Sequence, residues 1–94
     1  MTKSRLYVFA YDVSDDKKRL RLARALEREG VRVQGSVFEL RVPHEQAVAL
    51  GNALKKHLDR GDSLRIYHVP DRALRFSAAY GGAPLPQPGD YLLF

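Results

Sequence analysis

The chain has 94 residues, no cysteine and a formal net charge of +5, with an isoelectric point near 9.8. This length indicates one domain with a small core, and the lack of cysteine excludes disulfides and thiolate zinc sites while fitting a reducing cytoplasm. No stretch is typical of a membrane span or a signal peptide, and the basic balance favours a polyanionic partner such as nucleic acid.

The chain is expected to begin with a strand followed by a helix. Residues 5–12 are almost wholly apolar and aromatic, which is typical of a strand covered on both faces. This strand ends on the carboxylate of Asp12. Ser14 is the predicted N-cap of a helix that runs to about Glu29 and ends before Gly30, a typical residue just past a helix.

The middle of the chain is expected to add two or three strands and a second helix. Residues 31–42 alternate as a strand until the pattern breaks at Gly35, so they form either one bent strand or two short ones. A helix follows over about 44–59, and residues 63–69 alternate as a strand. The order βαββαβ predicts a ferredoxin-like α+β fold, which is α/β in the broad sense, with two helices on one sheet face.

The end of the chain is expected to form a linker and a last strand beyond the main domain. We expect a further strand over residues 73–80, so that residues 1–80 form the ferredoxin-like domain. Residues 81–94 begin with a loop rich in glycine and proline and end in the apolar residues 91–94. That end is either the last strand of its own sheet or an extra C-terminal strand that packs on a partner subunit. Because the first strand is typical of burial on both faces, we expect a homodimer.

Asp12 is the candidate for chemistry at the end of the first strand. A carboxylate there serves either as a turn or capping group or as a ligand for Mg²⁺, which keeps several waters and needs only one or two protein carboxylates. One copy of Asp12 makes a weak site, and two copies related by a two-fold axis make a better one. Asp15 and Asp16 are explained as acids in the first turn of the helix.

A row of basic side chains lies on one face of the first helix. Its members are spaced at i, i+4, i+7 and i+11, and they are Lys17, Arg21, Arg24 and Arg28. Such a row is either a solvated helix face or a track for phosphates. Its regular spacing and single sign support contact with phosphates about as strongly as a solvated face, and Arg32 adds charge nearby.

Three segments together resemble the CRISPR-associated endonuclease two family, the small subunit of the spacer-acquisition machinery. They are Leu6-Tyr-Val-Phe-Ala-Tyr-Asp12, Ser14-Asp-Asp-Lys-Lys-Arg19 and Arg32-Val-Gln-Gly-Ser-Val-Phe38. The segment Ser63-Leu-Arg-Ile-Tyr67 continues the resemblance. The family usually has an aromatic residue between the Gln and Ser of the third segment, where this chain has Gly35.

The resemblance implies a ferredoxin-like homodimer that takes part in CRISPR adaptation. It implies binding of double-stranded DNA or RNA, a CRISPR integrase subunit as partner, and Mg²⁺-dependent endonuclease activity. By resemblance Asp12 is the metal-binding acid, and Tyr11 and Arg19 are linked to activity. The positions implied or expected to contact nucleic acid are Lys17, Arg21, Arg24, Arg28, Arg32 and Phe38.

Two other functions stay open from the sequence. One is a toxin-like endoribonuclease with the same fold, and the other is a non-catalytic regulatory module that binds a small anion.

Overall fold

The computed structural model describes residues 3–86 of the chain. In chain order its elements are β1 (Ser4–Asp12), α1 (Asp16–Glu27), β2 (Gly30–Gln34), β3 (Val37–Pro43), α2 (His44–Lys55), β4 (Ser63–Val69) and α3 (Asp71–Leu74). Within the described part, no helix combines the length and apolar character needed to cross a membrane.

The four strands form one sheet in the order β2-β3-β1-β4, in which every neighbouring pair is antiparallel. On the central strand β1, Phe9 lies opposite Phe38 of β3 and Ile66 of β4. This strand order, with α1 and α2 as the crossover connections, is the ferredoxin-like arrangement, so the predicted fold class is confirmed.

The core lies between the helices and one face of the sheet, which we call the helix face. Because side chains alternate along a strand, Tyr7, Phe9 and Tyr11 of β1 all point to this face. The largest fully buried side chains are Phe9, Phe38, Leu22, Leu26 and Leu40. The buried seam of α1 includes Ala23, as its helical spacing predicts.

The boundaries of α1 differ from the prediction. Asp15 is the N-cap, and its carboxylate accepts a hydrogen bond from the Lys18 backbone N–H at 2.9 Å. The prediction of Ser14 as the cap was therefore wrong, because two neighbouring residues have equal capping ability. Gly30 is the first residue of β2, so it does not end the helix in a left-handed conformation.

The break at Gly35 separates two strands. Residues 35 and 36 form the turn between β2 and β3, and the strand pairing shifts register between Arg32 and Gln34. Helix α2 ends at Lys55, four residues before the predicted end.

The strand predicted over residues 73–80 was wrong. Residues 71–74 form the short helix α3, and no regular element follows within the described residues. Pro70 precedes this helix as its N-cap, and Leu74, the last residue of the helix, is buried. The predicted C-terminal strand at residues 91–94 lies outside the described residues.

The second face of the sheet, which we call the open face, has no helix on it. From β1 it receives the side chains of Leu6, Val8, Ala10 and Asp12. Residues 83–86 run beside this face, where they and Leu6, Val31 and Glu39 line a cavity of about 550 Å³. The open face is thus only partly covered by the described chain.

Candidate functional site

The carboxyl end of β1 presents Asp12 to solvent, on the open face of the sheet. The backbone leaves the sheet at this point and turns into α1. Arg19 from the first turns of α1 folds back onto this turn. Its guanidinium donates hydrogen bonds to the carbonyl oxygens of Val13 at 2.9 Å and Ser14 at 3.3 Å, and it forms an ion pair with Asp16. Arg19 therefore braces the loop that carries Asp12.

A second brace comes from the loop before β4. The Asp62 carboxylate accepts hydrogen bonds from the Ser14 backbone N–H at 3.2 Å and from the Asp59 backbone N–H at 2.8 Å. The Asp59 carboxylate in turn accepts a hydrogen bond from Lys18 Nζ at 2.6 Å, and this bond raises the pKa of Lys18. These contacts join the two loops at one end of the sheet.

The aromatic residues of the site lie in the core. Tyr11 is 5% exposed, and its ring stacks on that of Phe38 at a centroid distance of 6.3 Å. Phe38 is fully buried, and the Arg32 guanidinium lies 5.0 Å above its ring. Burial favours a packing role for both rings, which leaves the exposed Arg32 as the group of this cluster that faces solvent.

The basic row lies on the solvent side of α1. All four members, Lys17, Arg21, Arg24 and Arg28, are exposed. Within residues 3–86 none of them forms an ion pair with a carboxylate. Because no neighbouring acid neutralises these charges, the row presents a positive surface to a ligand.

The structure therefore divides the predicted residues into three groups. Asp12 and Arg19 share the turn after β1, whereas Tyr11, Phe38 and Arg32 stack beside it at the start of β3. The basic row occupies the helix layer. The role of Asp59 and Asp62 as a brace was not predicted, although two acids around Gly61 directly before a strand are a typical turn signal.

The donor set at Asp12 suits a hard cation. Its carboxylate is exposed, whereas both oxygens of Asp62 already accept backbone hydrogen bonds. The described residues contain no cluster of three or more acids, histidines or cysteines that could hold a metal ion. One exposed carboxylate is compatible with a largely hydrated Mg²⁺, and a second copy of Asp12 would complete a stronger site.

The fold and this arrangement define a class: a small ferredoxin-like domain with an acidic strand end and an unpaired basic row on its first helix. Comparison with known proteins identifies the family within this class. The model of the family described as CRISPR associated protein Cas2 matches residues 5–75. The chain belongs to the Cas2 family of CRISPR-associated proteins, which confirms the resemblance described above.

Curated relatives agree with this assignment over most of the chain. The chain is 40% identical over 84 residues to the CRISPR-associated endonuclease Cas2 2 of Thermus thermophilus, covering 88% of this chain and 89% of that protein. It is 39% identical over 84 residues to the CRISPR-associated endoribonuclease Cas2 3 of Synechocystis, covering 88% and 91%.

Solved structures share the fold. Cas2 of Streptococcus pyogenes is 28% identical, with a TM-score of 0.69 over 81% of this chain and 99% of that chain. A chain of a partial Cas6-RT-Cas1–Cas2 complex is 29% identical, with a TM-score of 0.73 over 88% and 98%.

Proposed function

We propose that this chain acts in CRISPR spacer acquisition as a homodimer that binds duplex nucleic acid and cleaves phosphodiester bonds with Mg²⁺ held at Asp12. The observation that carries the proposal is that a chain of the Cas2 family has both an unpaired basic row on α1 and an exposed carboxylate at the end of β1. Its relatives are named endonucleases or endoribonucleases, and one solved relative comes from a complex with Cas1. An integrase subunit is therefore the proposed protein partner.

The open face supports the homodimer. Val31 and Tyr67 lie on this face and are 55% and 51% exposed. Exposed apolar side chains of this size favour an interface, because burying the exposed half of each stabilises association by about 1 kcal/mol. Asp12 lies on the same face, so a dimer with its two-fold axis passing through this face brings the two copies of Asp12 toward each other.

The chemistry follows from the charges at this end of the sheet. When bound, Mg²⁺ supplies Lewis-acid stabilisation of the phosphate and lowers the pKa of a bound water. The two Asp12 carboxylates would hold the ion. Arg19 keeps the loop after Asp12 in place, and the basic row positions the phosphate backbone.

A binding and cleavage assay tests the proposal. Labelled double-stranded DNA and RNA are incubated with the purified chain, with Mg²⁺ or with a chelator, and binding is followed by fluorescence anisotropy. We expect Asp12→Asn to lower the cleavage rate by about 100-fold or more, because several kcal/mol of charge stabilisation are lost. Duplex binding should stay within about threefold of wild type, since the basic row is intact.

The matched control is Glu45→Gln, which removes an exposed acid from the first turn of α2, away from the strand end. This variant should cleave like wild type. The nuclease part of the proposal fails if Asp12→Asn cleaves as fast as wild type. The binding part fails if the wild-type chain shows no salt-dependent binding to either duplex.

A further inference from the structure

The helix layer contains a groove between α1 and α2. The two helices run antiparallel, because the start of α1 meets the end of α2 and the reverse holds at the other end. Lys18 pairs with Asp59 at a distance of 2.6 Å at one end, and Gln46 donates a hydrogen bond to Glu29 at the other. Between these ties the helices leave a cavity of about 340 Å³.

The groove has an apolar floor and basic walls. Its floor consists of Ala25, Leu50, Ala53 and Leu54, and its walls consist of Arg21, Arg24, Arg28, Lys56 and His57. Among the described residues that line it, none is acidic. The alanines keep the floor open, so a ligand can approach the helix surfaces between two sets of nitrogen donors.

Of two neighbouring lysines at the end of α2, only one belongs to the second wall of the groove. Lys55 and Lys56 are both exposed and sit together at the end of α2. Only Lys56 lines the groove, because successive side chains on a helix point about 100° apart. The sequence alone gives no reason to distinguish them, since both belong to the same basic helix end.

We propose that this interhelical groove seats one phosphate backbone of the bound nucleic acid, with Lys56 and His57 at the end of α2 as donors opposite the Arg21 end of the basic row. The inference rests on the proposed function and adds a second helix to the phosphate contacts. Arg21 to Arg28 spans about 10.5 Å along α1 at about 1.5 Å per residue. Because successive phosphates of one strand rise about 3.4 Å along the duplex axis and lie farther apart along the strand itself, the groove is long enough for about two phosphates.

Charge on both sides of the groove favours a phosphate chain over a solvated helix face. A single row attracts phosphates from one side only, whereas two facing walls surround them and replace more condensed counterions. An acidic segment of a protein partner has the same charge, and it is the competing occupant. At the two ends of the groove, Asp59 and Glu29 already accept hydrogen bonds from Lys18 and Gln46.

The test compares Lys56→Ala with Lys55→Ala in the full chain. Each variant removes one exposed lysine from the same helix end, so net charge and fold are matched. The dissociation constant for a labelled duplex is measured by anisotropy over a salt series. The slope of log K against log salt is negative, and we expect Lys56→Ala to reduce its magnitude by about one for each groove engaged. Lys55→Ala should leave the slope unchanged. Lys56→Arg should restore the wild-type slope.

The inference is overturned if Lys56→Ala and Lys55→Ala give the same slope while the wild-type chain binds the duplex. It is also overturned if Lys56→Ala weakens binding of an integrase subunit but leaves duplex binding unchanged, because the groove is then a protein-docking site. Failure of the proposed function has a different signature, since the wild-type chain itself then shows no salt-dependent binding.

Discussion

The two faces of the sheet differ in how completely the chain covers them. On the helix face, Phe9 and Phe38 are fully buried beneath α1 and α2. On the open face, Tyr67 is half-exposed, and residues 83–86 lie beside only the part of the sheet near Leu6, Val31 and Glu39. The described chain thus completes the core on one face and leaves the other face, where the homodimer is proposed, only partly covered. Stability of the folded chain should depend on the first face, and assembly should depend on the second.

The largest effect is expected on the helix face. Phe9→Ala should lower the free energy of unfolding by about 3–5 kcal/mol, because it removes a fully buried ring from the central strand. The neighbouring Val8→Ala, on the partly covered open face, should lower it by only about 1 kcal/mol. Urea unfolding of both variants at low protein concentration checks this, and equal losses would contradict the difference between the faces.

A smaller loss is expected where two strands approach closely. A Cβ atom on Gly30 would lie 2.3 Å from the Glu39 carbonyl oxygen, so Gly30→Ala must shift β2 away from β3. We expect a loss of about 1–3 kcal/mol in unfolding free energy. Gly35→Ala is the control, because a Cβ there meets nothing within 4 Å. A thermal unfolding scan in which both variants lose the same stability would contradict this reason.

The space around Gly35 also bears on the departure from the family pattern. An added Cβ is tolerated at this turn, so an aromatic side chain there has room to point outward. The turn itself forms without it, and Tyr11 N–H donates to the Ser36 carbonyl oxygen at 3.1 Å.

The next prediction concerns the open face. Tyr67→Ala should raise the dissociation constant of the proposed homodimer by about tenfold or more. The reason is that the ring, which is half-exposed in the single chain, is no longer there to be buried in the interface. Val48→Ala is the control, since Val48 is 47% exposed but lies on α2. Sedimentation equilibrium measures both variants. An unchanged Tyr67→Ala dimer, beside a wild-type dimer, would place the interface elsewhere.

The smallest effect is expected from Glu39 on the open face. Burial raises the pKa of this carboxyl above 4.5, so the folded chain binds its proton more tightly than the unfolded chain. The stability that this group contributes is therefore present below pH 4.5 and is lost as pH rises through the raised pKa. The free energy of unfolding of Glu39→Gln should equal that of wild type near pH 4. At pH 7 it should be larger than that of wild type by about 0.5 kcal/mol or less, since Glu39 is partly exposed. Unfolding curves at both pH values measure this, and a variant less stable than wild type at pH 7 would contradict it.

Much of the fold could be predicted from the sequence because its signals are local. Residues 63–69 alternate clearly, and the structure places β4 at Ser63–Val69. The run 73–80 also has apolar residues, but Phe76 and Tyr80 are 86% and 93% exposed, and none of the described strands pairs with this segment. A strand requires a pairing edge, and a sequence pattern does not reveal whether one is available.

The candidate site was predictable to the same extent. The position of Asp12 at a strand end and the spacing of the basic row follow from the periodicity of one element each. The hydrogen bond from Ser14 to Asp62 joins residues 48 apart in the chain. The position of Lys56 across the groove from α1 depends on how the two helices pack. Such relations arise from tertiary structure and carry no local signal.

The braces around the turn after β1 have a consequence for assembly. Arg19 and Asp62 hold this turn with groups from the same chain. The entropy of ordering the turn is therefore lost when the single chain folds, before a second chain or a ligand arrives. In the proposed homodimer, the turn that carries Asp12 is already ordered, so the free energy of association goes into contacts between subunits and not into ordering a loop.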